Sequence, residues 1–129
     1  MIGQKRILVI DDDPDFLDYV RIVLSASGYE VETASTAKQG LDLMREHVPD
    51  LVIVDVMMSY ALDGWTVSRE MFSDPRLRNV PIMMVSAIVS DKDDALFPND
   101  VNDRVDAFMS KPLDPSALLK QVAELTKSA

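Results

Sequence analysis

The run Leu51-Val52-Ile53-Val54-Asp55 constrains this chain more than any other stretch. Four consecutive apolar residues, three of them β-branched, stop on one carboxylate. A short continuous apolar run predicts a strand covered on both faces, with Asp55 at the lip of the sheet. Ile7-Leu8-Val9-Ile10 repeats the pattern and runs into Asp11-Asp12-Asp13. Pro81-Ile82-Met83-Met84-Val85 stops at Ser86, and Ala107-Phe108-Met109-Ser110 stops at Lys111-Pro112. Buried strands that end on polar residues imply a sheet whose one edge carries chemistry.

The segments between these strands read as helices. Asp13-Pro14 is a cap followed by a first-turn proline, and Leu17, Val20, Val23 and Leu24 follow at helical spacing up to Gly28. Tyr29 to Thr33 alternates polar and apolar residues, as an edge strand does. Ser35 or Thr36 opens a second helix with Ala37, Leu41, Met44 and Val48 as its buried stripe. A third helix runs from Gly64 to Phe72 and breaks at Ser73-Asp74-Pro75. Asp91 to Asp106 holds six aspartates against one lysine and one arginine, with Pro98 in the middle. That composition predicts a helix that is short or irregular. Asp114-Pro115 opens the last helix, whose stripe is Leu118, Leu119, Val122 and Leu125.

Five βα units in succession imply a mainly parallel sheet with helices on both faces, within one domain spanning residues 1–129. The formal charge of −9 opposes a grip on nucleic-acid phosphates, and the absence of cysteine removes disulfides and thiolate chemistry. No apolar run approaches the ~18 residues of a bilayer span, and the N-terminus lacks the apolar core of a secretion signal. The expectation is a soluble cytoplasmic domain that does not enter membranes.

In doubly wound sheets, ligands collect at the carboxyl ends of the strands. Those ends carry Asp11, Asp12, Asp55, Ser86 and Lys111. Two carboxylates ~4 Å apart repel by roughly 4 kcal/mol at an effective dielectric of 20, so three acids call for a cation or a shared proton. Lys111 offsets one charge; a hard divalent ion, most simply Mg2+ with Mn2+ as a substitute, offsets more. Such a set suits phosphoryl transfer to an aspartate, with a hydroxyl such as Ser86 to meet a phosphoryl oxygen.

These residues in this order resemble the receiver domain of response regulators in two-component phosphorelay signalling. The resemblance rests on Ile7-Leu8-Val9-Ile10-Asp11-Asp12-Asp13-Pro14, Val54-Asp55-Val56-Met57-Met58, Val85-Ser86-Ala87 and Phe108-Met109-Ser110-Lys111-Pro112. It implies a flavodoxin-like (βα)5 fold with strand order 2-1-3-4-5 and a cis Lys111–Pro112 bond. It implies Asp55 as phosphoacceptor, taking the phosphoryl group from a phosphohistidine of a sensor histidine kinase or histidine phosphotransfer protein. Asp12, Asp55 and the Met57 backbone carbonyl would ligate Mg2+, with Asp11 acting through water. Lys111 would contact the phosphoryl group, and Ser86 and Phe108 would move as a coupled switch towards an unspecified downstream protein. Such a domain is no metabolic enzyme, since the only reactions it catalyses are its own phosphorylation and dephosphorylation.

Some positions depart from the family. Ser59 stands where proline is usual, and the glycine of that loop comes one residue late, at Gly64. Asp103-Arg104-Val105-Asp106 replaces the usual small-residue turn before the fifth strand. Met57 and Ile88, which flank the site in the family, are apolar and cannot orient a water by hydrogen bonding, so slow self-dephosphorylation is expected. The resemblance leaves a free-standing regulator, a phosphate relay and a receiver cut from a longer protein all open. A competing reading takes Asp11-Asp12-Asp13 as the Asp-x-Asp of a haloacid-dehalogenase-like phosphohydrolase with Asp11 as nucleophile. Pro14-Asp15 continues that motif poorly, and Asp55 would have no role. Simpler roles fit the remaining singular residues: His47 at a helix end, Trp65 as partial packing, the eight methionines as core filler.

Overall fold

The computed structural model describes residues 4–55, 63–86 and 106–127, with backbone alone for 63–65. Its elements run β1 (Arg6–Ile10), α1 (Pro14–Ala26), β2 (Glu30–Ala34), α2 (Ala37–Glu46), β3 (Leu51–Asp55), α3 (Asp63–Ser73), β4 (Ile82–Ser86), β5 (Ala107–Ser110) and α4 (Pro115–Thr126). The strands form one parallel sheet in the order β2-β1-β3-β4-β5. The expected helix of the fourth unit falls on residues outside those described, as does the acidic segment up to Val105.

Strand burial follows position in the sheet. Every residue of the central strands β3 and β4 is buried, whereas the edge strands β2 and β5 are mostly half-buried or exposed. The two-residue period divides the core between the faces of the sheet. Ile7, Val9, Leu51, Ile53, Met83 and Val85 pack with Phe16, Val20 and Leu24 of α1 and Leu118 and Val122 of α4. Leu8, Ile10, Val52, Val54, Ile82 and Met84 pack on the other face with Leu41 and Met44 of α2 and Val67 and Met71 of α3.

Local chemistry fixes the helix starts. Asp13 accepts the Asp15 N–H, Thr36 accepts the Gln39 N–H and Asp114 accepts the Ala117 N–H, each at 3.0 Å. Pro14 and Pro115 occupy first-turn positions where a missing N–H costs nothing. Gly40 lets α2 lie close on β1, for a Cβ there would run into the Ile10 side chain.

Some details differ from the sequence reading. β2 begins one residue late, at Glu30. Gly28 adopts φ +94°, and the Tyr29 N–H still bonds the Leu24 carbonyl at 3.1 Å, so Tyr29 belongs to the turn that ends α1. Val48 is exposed rather than part of the α2 stripe, because α2 stops at Glu46 and Gly40 takes the inner position. On α1 the buried residues are Phe16, Val20 and Leu24, with Leu17 and Val23 only half-buried.

Candidate functional site

Strand register assembles the site. Ile10 pairs with Val54, so the next residue along each strand, Asp11 and Asp55, lie side by side at the carboxyl edge. Asp55 pairs in turn with Val85, and Ser86 with Ser110 at the end of β5. By the two-residue period, Asp11, Asp55 and Lys111 all fall on the face covered by α1 and α4, while Ser86 falls on the α2–α3 side. The Lys111 N–H donates to the Ser86 carbonyl at 2.9 Å and fixes where the lysine leaves the sheet. The Lys111–Pro112 peptide is cis.

From there the ammonium reaches the acids. Lys111 Nζ donates to Asp11 Oδ2 at 2.7 Å and to Asp55 Oδ2 at 3.4 Å. Asp11 Oδ1 also accepts the Asp13 N–H at 2.9 Å, so both its oxygens have donors. Asp11 is fully buried and Asp55 nearly so, which goes beyond the lip position expected for Asp55, whereas Asp12 is exposed. Burial is the largest influence on Asp11 and lifts its carboxyl above the ordinary 3.8; the Lys111 hydrogen bond and the Asp13 N–H pull the other way, and the Asp12 charge adds to the rise. Withdrawal from water pulls the Lys111 ammonium down, but the hydrogen bond and charge of Asp11, followed by those of Asp55, outweigh it and leave the group above 10.5.

The donor set fits a hard divalent cation. One carboxylate oxygen from each of Asp11, Asp12 and Asp55 lies within 4.8 Å of the others. Mg2+ takes oxygen ligands at ~2.0–2.1 Å and keeps several waters, so such a span suits direct bonds from some of these acids and a water bridge to another. Both oxygens of Asp11 already serve Lys111 and the Asp13 amide.

The strand ends thus bring together Asp11, Asp12, Asp55 and Lys111. Ser86 is buried at the end of β4 beside them and is linked to Lys111 through its backbone. Phe108 lies on edge strand β5 and is 47% exposed. Met57, Ile88 and the 59–62 loop lie outside the described residues. Sequence reasoning missed two residues of α1. Phe16 lies with its ring centroid 4.4 Å from Lys111 Nζ, and the Tyr19 hydroxyl donates to the Leu113 carbonyl at 2.7 Å. Phe16 keeps helical spacing with Val20 and Leu24, a signal that could have marked it as inward-facing, but only the order of the strands shows what it faces.

A family model described as the response regulator receiver domain matches residues 7–123. The chain therefore belongs to the response regulator receiver domains, a family of signalling proteins. Among curated relatives it is 33% identical over 124 residues to the DNA-binding dual master transcriptional regulator RpaA of Synechocystis, covering 95% of this chain and 49% of that one. It is 32% identical to the response regulator PleD of Caulobacter vibrioides, covering 95% of this chain and 26% of that one. An uncharacterised 14.6 kDa protein of Leptolyngbya boryana is 32% identical, with 95% and 91% covered. The chain thus spans half or less of the two named regulators.

Among solved structures, the CheY-like receiver domain protein of Methanospirillum hungatei matches with a TM-score of 0.82 at 27% identity, covering 97% of this chain and 95% of that one. The chemotaxis protein CheY4 of Vibrio cholerae matches at 0.83 and 24% identity, covering 95% and 99%, a likeness of fold alone. Receiver domains typically bind Mg2+ at an acidic pocket, and the Asp11–Asp12–Asp55 group is compatible with that. The hydrolase reading of Asp11 is not favoured. The family match runs against it, and Asp11 is fully buried with both oxygens already hydrogen-bonded.

Proposed function

We infer that residues 1–129 form one receiver domain that takes a phosphoryl group onto Asp55 from a phosphohistidine of a sensor histidine kinase or histidine phosphotransfer protein. The observation that carries this reading is the placement of Lys111, whose ammonium bridges Asp11 and Asp55 at the carboxyl edge of the sheet. An Asp55 oxygen attacks phosphorus in line, the P–N bond to the donor imidazole breaks, and its electron pair stays on that nitrogen, which takes up a proton. Lys111 shifts part of its charge from Asp55 to the arriving phosphoryl oxygens. Asp12, Asp55 and the Met57 carbonyl would hold Mg2+ directly, or Mn2+ in its place, with Asp11 joined through water. The ion supplies positive charge to the phosphoryl oxygens.

Ser86 would meet a phosphoryl oxygen, and Phe108 would follow it. Exposure of the Phe108 ring on the outer strand is consistent with a readable position. The domain turns over no separate metabolite; it catalyses only the arrival and loss of its own phosphoryl group. Its output is contact with a downstream protein rather than direct binding of nucleic acid, consistent with the −9 charge. No helix of the described residues is long and apolar enough to cross a membrane. A cytoplasmic site of action without membrane insertion is part of the same reading.

The test is treatment of wild type and Asp55→Asn with a small phosphodonor and Mg2+, followed by intact mass. Wild type should gain one phosphoryl group and Asp55→Asn none. Equal labelling of both, or no labelling of wild type, would defeat the reading.

A further inference from the structure

We propose that Phe16 is a positioning residue for Lys111, its ring holding the ammonium between Asp11 and Asp55 rather than collapsed onto Asp11 alone. The inference rests on the phosphoacceptor reading of Asp55. Its starting point is the 4.4 Å separation of Lys111 Nζ from the Phe16 ring centroid, within the ~6 Å over which a cation is attracted to an aromatic face. Both partners are withdrawn from water. Phe16 is 9% exposed and the Lys111 side chain 18%, so the attraction is little screened.

The surrounding charges explain why such a contact matters. Asp11 holds Nζ at 2.7 Å and Asp55 holds it less closely, at 3.4 Å. A lysine stem has four rotatable carbons, and electrostatics alone would draw its head to the more buried acid. An aromatic face adds an attraction of its own without adding a formal charge or competing for the ammonium's hydrogen bonds. The negative face of its quadrupole leaves the N–H groups aimed at the two carboxylates.

The frame around the pair is also fixed. Phe16 sits in the first turn of α1, which Asp13 caps, and the Asp13 amide donates to Asp11. One turn further on, Tyr19 donates to the Leu113 carbonyl, two residues past the lysine. Ring, acids and the lysine backbone therefore keep one mutual geometry. An aliphatic residue at position 16 would fill the same core but offer the ammonium no face.

The test compares the full chain as wild type, Phe16→Leu and Phe16→Tyr. The first readout is the NMR signal of the Lys111 ε-methylene protons, which a ring at this distance shifts upfield. The second is the rate of labelling by phosphoramidate with Mg2+. Phe16→Leu should lose the shift and label about tenfold more slowly, the rate equivalent of ~1.4 kcal/mol. Phe16→Tyr should retain the shift and the rate. Wild-type labelling in Phe16→Leu, or failure of a folded Phe16→Tyr to restore the rate, overturns the inference while Asp55 remains the acceptor. No labelling of wild type overturns the acceptor reading and this inference with it.

Discussion

Replacing Lys111 by methionine tests how the acidic cluster is held together in the absence of metal. Methionine keeps most of the stem and removes the charge. At an effective dielectric of 20, the 2.7 Å contact to Asp11 corresponds to about 6 kcal/mol and the 3.4 Å contact to Asp55 to about 5 kcal/mol. Withdrawing the three charges from water offsets most of that sum. Removing one partner of a buried pair typically costs ~3–5 kcal/mol, because the remaining charge is stranded. The opening of this site to solvent at Lys111, 18% exposed, sets the expectation at the lower end, about 3 kcal/mol at pH 7.

The loss should depend on pH with a defined sign. Burial already raises the Asp11 carboxyl above 3.8 in the folded chain, and losing the Lys111 hydrogen bond raises it further. A group whose folded pKa is raised favours folding below its unfolded value and loses that contribution as pH climbs towards the folded one. Lys111→Met should therefore lie closest to wild type in acid and fall away as pH rises from 3.8 towards neutrality. Urea unfolding with a chelator present, at pH 5 and pH 7, measures both quantities. Adding Asp11→Asn should recover much of the loss. A variant as stable as wild type at pH 7, or a deficit that is the same at both pH values, would refute the reasoning.

Further outcomes follow from single contacts. Gly40→Ala should destabilise by about 1–3 kcal/mol in thermal unfolding despite alanine's better helix propensity, because the new Cβ meets Ile10, and Ile10→Val in the same chain should restore part of the loss. Tyr19→Phe should cost about 1 kcal/mol in urea unfolding by removing the donor to the Leu113 carbonyl. Phosphorylated protein, followed by intact mass after removal of donor, should keep its phosphoryl group for much longer than seconds, since Met57 and Ile88 cannot orient water; loss within seconds would reject that expectation.

Most of the fold was legible because its signals are local. Continuous apolar runs mark strands buried on both faces, and the Asp13-Pro14 and Asp114-Pro115 pairs mark helix starts to the residue. The grouping of Asp11, Asp12, Asp55 and Lys111 was legible for a similar reason: polar residues that terminate apolar strands of a parallel sheet must share one edge. Boundaries set by longer-range bonds were harder to see. The Tyr29 amide turns back to Leu24, and nothing in its own sequence window separates that turn from the strand that follows. Val48 continued an apolar helical pattern, but α2 ends before it.

Phe16 and Tyr19 show a further limit. Their inward spacing is visible in the chain, yet their partners, Lys111 and Leu113, lie more than ninety residues away and meet them only through the strand order. The relative burial of the acids is likewise a property of register: Asp11 and Asp55 are enclosed, while Asp12, one residue on from Asp11, faces outwards.

The most direct measurement maps the phosphoryl group to a residue. Borohydride reduces an aspartyl phosphate to homoserine, with phosphate as the leaving group, and peptide sequencing by mass then finds the converted position. Homoserine should appear at position 55 alone, dependent on Mg2+. Conversion at Asp11, or none in a protein that has gained phosphate, would contradict it.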